Sequence, residues 1–370
     1  GLVLSILPTA VTLFVVFPSE GKGMMGAQLG TLTPLFPLAL NGLWGSFFSK
    51  KFGKPMRRPF RRVWSRISLA MGEPVRPEEA EIEQNRASGP APIAASHKRS
   101  NTPPVEFIPR PPTWGPRLVR QMPLDVVFQH LAKNELFRLS WGAKNAHGEE
   151  WERLQVDFEK RLAEMKRQAL QNDWLQPRAV YGYWPAQADS DELVVYDPKA
   201  LAAGEKSELT RFSFPRQAEG EHLCLADYFA PVNSGRMDVV ALQVVTVGQS
   251  ATERFDRMQD AGDYSEAYYF HGLAVQAAEA TAEYLHRHIR RELGLADGQG
   301  KRYSWGYPAI PELEDHRKVF DLLPAETELG MSLSPAYQLI PEQSTAAIIV
   351  HHPEARYFGI GESRLDQLTR

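Results

Sequence analysis

The sequence predicts an α+β fold. Three observations carry that expectation. Ser265 to Leu293 is patterned as one long amphipathic helix, and Val239 to Val247 is a continuous apolar run of the kind that forms a strand covered on both faces. Helices and strands otherwise alternate irregularly and without repeats, where a doubly wound sheet would alternate regularly. The 370 residues leave room for two or three domains, and an apolar fraction of 43% supplies a sizeable core.

Residues 1–83 form a first block. Gly1 in place of Met suggests a fragment or a processed chain. Leu2 to Phe17 is apolar, but Pro8 interrupts it and it is shorter than the ~20 residues that span a bilayer. No cationic segment precedes it, so a buried strand-and-helix segment is expected rather than a signal peptide, with membrane association as the alternative. Between Lys50 and Arg66 stand eight cations and no acid. Such a run is a solvated face or a weak contact for an anionic membrane. The net charge of −3 argues against general nucleic-acid binding.

Residues 84–120 carry Pro90, Pro92, Pro103, Pro104, Pro109, Pro111, Pro112 and Pro116. Proline at this density breaks helices and central strands, so an extended, partly disordered linker is expected, with docking from Thr113 to Gly115. The third block, 121–370, opens on Trp151, Leu154, Phe158, Leu162, Met165 and Ala169 at helical spacing, an apolar stripe that reads as core. Arg178 to Trp184, Glu192 to Tyr196 and Ala346 to Val350 read as further strands. The long helix ends in His286, Arg287, His288, Arg290 and Arg291, suited to the negative helix pole, and Gly294 stops it. The single cysteine, Cys224, excludes an internal disulfide and a cysteine-based metal cluster, and suits a reducing cytoplasm.

Arg302-Tyr303-Ser304-Trp305-Gly306-Tyr307-Pro308-Ala309 places a fixed cation, a glycine and a phenol within six residues. Leu225-Ala226-Asp227-Tyr228 and Glu279 precede it, and His352-Pro353-Glu354-Ala355-Arg356-Tyr357 follows. In this order the segments resemble the activation domain of cobalamin-dependent methionine synthase, over about 105–370. Tyr181-Gly182-Tyr183-Trp184-Pro185-Ala186 and Gln338-Leu339-Ile340-Pro341-Glu342-Gln343-Ser344 match as well. The resemblance implies a mixed or antiparallel twisted sheet with long flanking helices, preceded here by a small truncated α/β segment and the proline-rich linker. It also implies that S-adenosylmethionine is bound and that its methyl group reactivates oxidised cobalamin, with a flavodoxin-like electron donor.

On that resemblance Asp227 takes the ligand's α-amino group and Arg302 pairs with its carboxylate through two hydrogen bonds, which lysine cannot copy. Gly306 lets the backbone pass close, Tyr307 and Tyr357 offer ring faces and hydroxyls, and Glu279 is the acidic helix residue. Taken singly, Asp227 reads also as a turn aspartate, the tyrosines as packing, and Glu279 with Glu283 as an exposed face paired with arginines. The position of a second family glutamate is Ala296, beside Asp297, and Ile310 stands where a cysteine is common. Adjacent His351 and His352 would point to opposite faces of a strand, so they do not suit one shared metal ion.

Phe17-Pro18-Ser19-Glu20-Gly21 and the segments after it resemble the C-terminal part of a glycerophospholipid acyltransferase. That family's histidine base is missing, since no histidine precedes His97. The block therefore reads as a remnant incompetent for acyl transfer. No DxHxxG-type cobalamin motif occurs in the chain, so cobalamin is expected on a separate or missing domain. The alternatives are a membrane-associated 1-acylglycerol-phosphate-type acyltransferase fragment and a non-catalytic S-adenosylmethionine-binding module.

Overall fold

A computed structural model describes residues 98–359 in full and, before them, the backbone of four strands. The chain divides into two units, 1–93 and 94–370. In the first, β1 (Leu2–Leu7), β2 (Ala10–Val15), β3 (Phe36–Asn41) and β4 (Ser68–Met71) form an antiparallel sheet in that order. The acyltransferase-like resemblance otherwise falls outside the described residues, as does the basic run 50–66.

The second unit is built on a seven-stranded antiparallel sheet. Its strands are β5 (Gly115–Val119), β6 (Arg178–Asp189), β7 (Glu192–Tyr196), β8 (Glu208–Ser213), β9 (Asp238–Thr246), β10 (Lys301–Ser304) and β13 (Ser344–Val350). The order is β10-β13-β9-β6-β7-β8, with β5 also paired to β6. A short hairpin, β11 (Ser332–Leu333) and β12 (Leu339–Ile340), precedes β13. The helices α1 (Gly148–Asn172), α2 (Gln249–Asp260) and α3 (Tyr264–Glu292) accompany the sheet.

The apolar run expected to be doubly covered is β9, buried at every position. Its side chains alternate between two cores, as the two-residue period of a strand requires. Val239, Ala241 and Val245 pack with Ala280, Ala282, Leu285 and Ile289 of α3. Val240, Leu242 and Val244 join Leu193, Phe212 and Ile348 on the other face. Gln243 interrupts the apolar run, and its Nε2 donates to the Ala282 carbonyl at 3.2 Å. The Trp151-to-Ala169 stripe lies on α1, where Phe158, Leu162, Met165 and Ala169 are buried against a third cluster that includes Phe270 and Leu273 of α3.

The proline-rich segment departs from expectation. From Lys98 onward it is described and packs as part of the second unit. Val105 is buried, His352 Nε2 donates to the Pro103 carbonyl at 3.1 Å, and Arg236 donates to the carbonyls of Val105 and Glu106. Prolines remove backbone donors but leave acceptors, and here side-chain donors satisfy them. Gly115–Val119 is then a strand despite Pro116, at the sheet edge where proline is tolerated. Sequence reading also passed over the polar edge strand β8, the four-residue β10 and helix α2.

Gly182 fits β5 beside β6. A Cβ there would lie 2.5 Å from the Gly115 carbonyl oxygen and 2.8 Å from the Trp184 ring. Gly182→Ala is therefore expected to lower unfolding stability by about 1–3 kcal/mol, read as a fall in urea midpoint, because neither the backbone nor the indole can yield cheaply.

Burial lowers the pKa of His286, His316 and His352, so each is neutral in the fold. A depressed folded-state pKa means stability that is whole above the unfolded pKa, near 6.5, and lost as pH falls below it. The unfolding free energy, read from urea midpoints, is expected to fall between pH 7.5 and 5.5, by at most about 1.4 kcal/mol per pH unit for each histidine. His316→Gln should flatten that slope. An unchanged slope would mean that His316 titrates alike in both states.

Candidate functional site

Three segments converge on one cavity. The edge strand β10 pairs with β13, placing Arg302 opposite Ile349. Helix α3 brings Glu279. After β10 the chain turns at Gly306, whose φ of +86° is strained for any residue with a Cβ. The Gly306 amide donates to the Ile310 carbonyl and the Ile310 amide to that of Tyr307, each at 2.8 Å. That tight turn presents Tyr307. Past β13 the loop 351–359 returns with Tyr357.

Glu279, Arg302, Tyr307 and Tyr357 thus line a partly open cavity of about 300 Å³, together with Tyr303, Ser304, Pro308, Ala309 and Phe358. Gly306 shapes the turn without lining the space. Inside, Arg302 Nη2 lies 2.7 Å from a Glu279 carboxylate oxygen, and Arg302 Nη1 donates to the Ser304 hydroxyl at 3.2 Å. The Arg302 side chain is 14% exposed and that of Glu279 37%, so the pair is only partly screened by water. Tyr307 and Tyr357 are 62% and 68% exposed, with ring surface free on the cavity rim.

Asp227 is not brought to this cavity. Its carboxylate receives two hydrogen bonds from Arg216, at 2.7 and 2.8 Å, one from Ser100 at 2.7 Å and one from the Cys224 amide at 3.1 Å. The Arg216 side chain is 3% exposed, and a guanidinium so buried requires a paired anion. Asp227 and Asp191, whose Oδ1 accepts from Arg216 at 3.0 and 2.7 Å, together supply that charge, and Asp227 does not line the cavity where the amino-group role was expected. Glu283 is likewise engaged elsewhere. Burial raises its pKa, but hydrogen bonds from His286 and Arg287 outweigh this and hold it down to about 2. Ala296 and Asp297 are exposed in the turn after α3 and do not line the cavity.

Five cavity residues had no role assigned from sequence: Tyr303, Ser304, Pro308, Ala309 and Phe358. Ser304 had a usable signal, since it lies two residues after Arg302 on a strand and shares its face. Tyr303 is buried, its hydroxyl donates to the Arg356 carbonyl at 2.7 Å, and its ring meets that of Tyr357 edge-on at 5.4 Å. Only the return of the distant loop makes it part of the site.

His351 and His352 do have different partners. His351 Nε2 lies 2.6 Å from the buried Asp238, whereas His352 meets Pro103. Among the described residues no group of three or more His, Cys, Asp or Glu side chains is placed to hold a metal ion. Cys224 is buried, and burial pushes its thiol up to about 12, which makes it inert. Among the described residues no helix is long and apolar enough to cross a membrane.

Residues 143–370 match the family described as vitamin B12 dependent methionine synthase, activation domain. Methionine synthase of Mycobacterium tuberculosis (strain ATCC 25618 / H37Rv) is 31% identical over 328 residues, covering 78% of this chain and 27% of that protein. Methionine synthase of Mycobacterium leprae (strain TN) is 31% identical over 308 residues, covering 75% and 25%. The chain spans about a quarter of the length of the curated relatives it matches. A crystal structure of the MetH reactivation domain bound to AdoHcy superposes with a TM-score of 0.60 at 24% identity, covering 78% of this chain and 91% of that one. At that identity the likeness shows the fold.

Proposed function

The chain belongs to the family of the vitamin B12-dependent methionine synthase activation domain, and on that premise we propose that its cavity binds S-adenosylmethionine to support reductive reactivation of cobalamin. The observation that carries this reading is the Glu279–Arg302 pair, 2.7 Å apart at a tyrosine-lined cavity. The amino-acid end of S-adenosylmethionine carries both charges. It can exchange the internal pair for two external ones, its carboxylate on Arg302 and its ammonium on Glu279. Glu279 takes the role that Asp227, committed to Arg216, cannot fill. Tyr307 and Tyr357 offer ring faces to the sulfonium, whose positive charge is drawn to an aromatic quadrupole. AdoHcy in the structural relative fits the same ligand class.

In this reading a cobalamin held elsewhere, reduced by one electron from a flavodoxin-like donor, would accept the methyl group as the sulfonium–methyl bond breaks and S-adenosylhomocysteine is left. The chain's own contribution is placement: holding the donor by its charged end and turning its methyl toward a cobalamin carried by another domain or chain. It acts as part of a methyltransferase in methionine biosynthesis, not as a self-sufficient one. A cytoplasmic setting suits its single buried thiol.

Calorimetric titration of the full chain with S-adenosylmethionine tests the reading. Saturable binding is expected, weakened about 10- to 100-fold by Arg302→Ala, the loss of a charge-assisted hydrogen-bonded pair. Arg302→Lys should fall between, because it keeps the charge without the fork. Equal affinity in Arg302→Ala, or no binding by a chain shown to be folded, would rule the site out.

A further inference from the structure

Tyr357 stands on a loop that carries little secondary structure of its own, yet its position decides the shape of the cavity rim. The Arg356–Glu221 pair and the Ala355 amide, which donates to the His352 carbonyl, steady that loop, and two further contacts fix its path to Tyr357. Tyr303 grips the Arg356 carbonyl from below. His352 grips the loop from the other end and reaches out of it. The His352 ring is 1% exposed and lies against Tyr228, with ring centroids 5.5 Å apart. Its Nδ1 accepts from the Glu354 amide at 3.1 Å, so its Nε2 carries the proton and donates to the Pro103 carbonyl, also at 3.1 Å. One ring therefore shapes the Pro353–Glu354 turn with one nitrogen and holds the proline-rich arm with the other.

The arm has further anchors, none of which touches the cavity. Ser100 donates to Asp227, and Arg236 donates to the successive carbonyls of Val105 and Glu106, just after the buried Val105 side chain. The arm stands at the start of the second unit, which begins at Ala94.

We propose that His352 is a positioning residue that couples the arm 100–106 to the loop 352–358, so that Tyr357 reaches its place on the cavity rim only while the arm is docked. Docking of the arm then raises affinity for the cavity's ligand, and release of the arm lowers it. The ligand in this statement rests on the reading given above. The coupling itself does not.

The histidine's two bonds can be separated by substitution. Glutamine places an amide N–H where Nε2 donates and keeps the hold on Pro103. Asparagine places an acceptor where Nδ1 stands and keeps only the turn. Arg236→Met frees the arm from a distance without altering the loop. Amide hydrogen exchange of the full chain, without ligand, reads the coupling directly, and calorimetry with S-adenosylmethionine reads its consequence. In His352→Asn and in Arg236→Met, exchange at residues 354–358 is expected to rise about fivefold, with a similar loss of affinity, as the loss of one net hydrogen bond implies. In His352→Gln, which keeps the Pro103 bond and gives up the one to the Glu354 amide, residues 100–106 should exchange within about twofold of the unaltered chain while His352→Asn loses that protection, a difference that a purely packing role for the ring would not give.

Unchanged exchange at 354–358 while residues 100–106 exchange freely would overturn the coupling. So would continued protection of the arm in both His352→Asn and Arg236→Met, since the bonds named would then not hold it. Failure of the unaltered chain to bind S-adenosylmethionine would remove the functional reading alone, and the exchange data would still decide the coupling.

Discussion

Helix α3 lies against β9 across Ala280 and Ala282, with Gln243 reaching from the strand to the Ala282 carbonyl. Small side chains at this contact let the helix approach the sheet closely, and the hydrogen bond sets its register. One turn earlier, Ala274, Ala277 and Ala278 pack into the other core, with Phe158 and Leu162 of α1. The helix therefore bridges two cores and cannot slide or rotate without opening both. Interiors packed to this density transmit such constraints rather than absorb them. Glu279 stands on the stretch so held. Its distance of 2.7 Å from Arg302 follows from helix placement, not from any local preference.

The site divides its labour between rigid and adjustable parts. The charged pair sits on a helix and a strand, elements fixed by the cores. The rings that complete the cavity stand on a glycine turn and a returning loop. That arrangement suits recognition of a ligand with one charged end, which needs exact opposite charges, and one broad apolar end, which needs only covering surface. Partial burial matters here as well. In full solvent the Glu279–Arg302 pair would contribute little, and in a dry interior it would cost more to separate than a ligand returns. At intermediate exposure the pair can be exchanged for a ligand carrying the same two charges.

Two buried polar groups show why motif residues are not always site residues. Asp227 lies in a segment that resembles a family signature, yet it serves as counter-ion to Arg216. His351, next to the histidine that holds the arm, pairs with Asp238 inside the sheet and ties the end of β13 to the start of β9. Both residues are costly to remove for structural reasons.

Much of the second unit could be read from sequence. The α+β class, the apolar run of β9, the strand β7 from Glu192 to Tyr196 and the helix α3 follow from periodicity, because each element buries a face whose spacing is local in the chain. Order and motif also identified Arg302, Tyr307, Tyr357 and Glu279 as a set. What the sequence left open are the partners. Asp227 finds Arg216, Glu279 finds Arg302 across the sheet edge, Tyr303 joins the cavity only when loop 351–359 returns, and a proline-rich stretch that reads as a linker docks through contacts as distant as His352 with Pro103. Periodicity records which side of an element turns inward. It cannot record which charge or carbonyl will be waiting there, since that depends on residues brought together only when the sheet and α3 have packed.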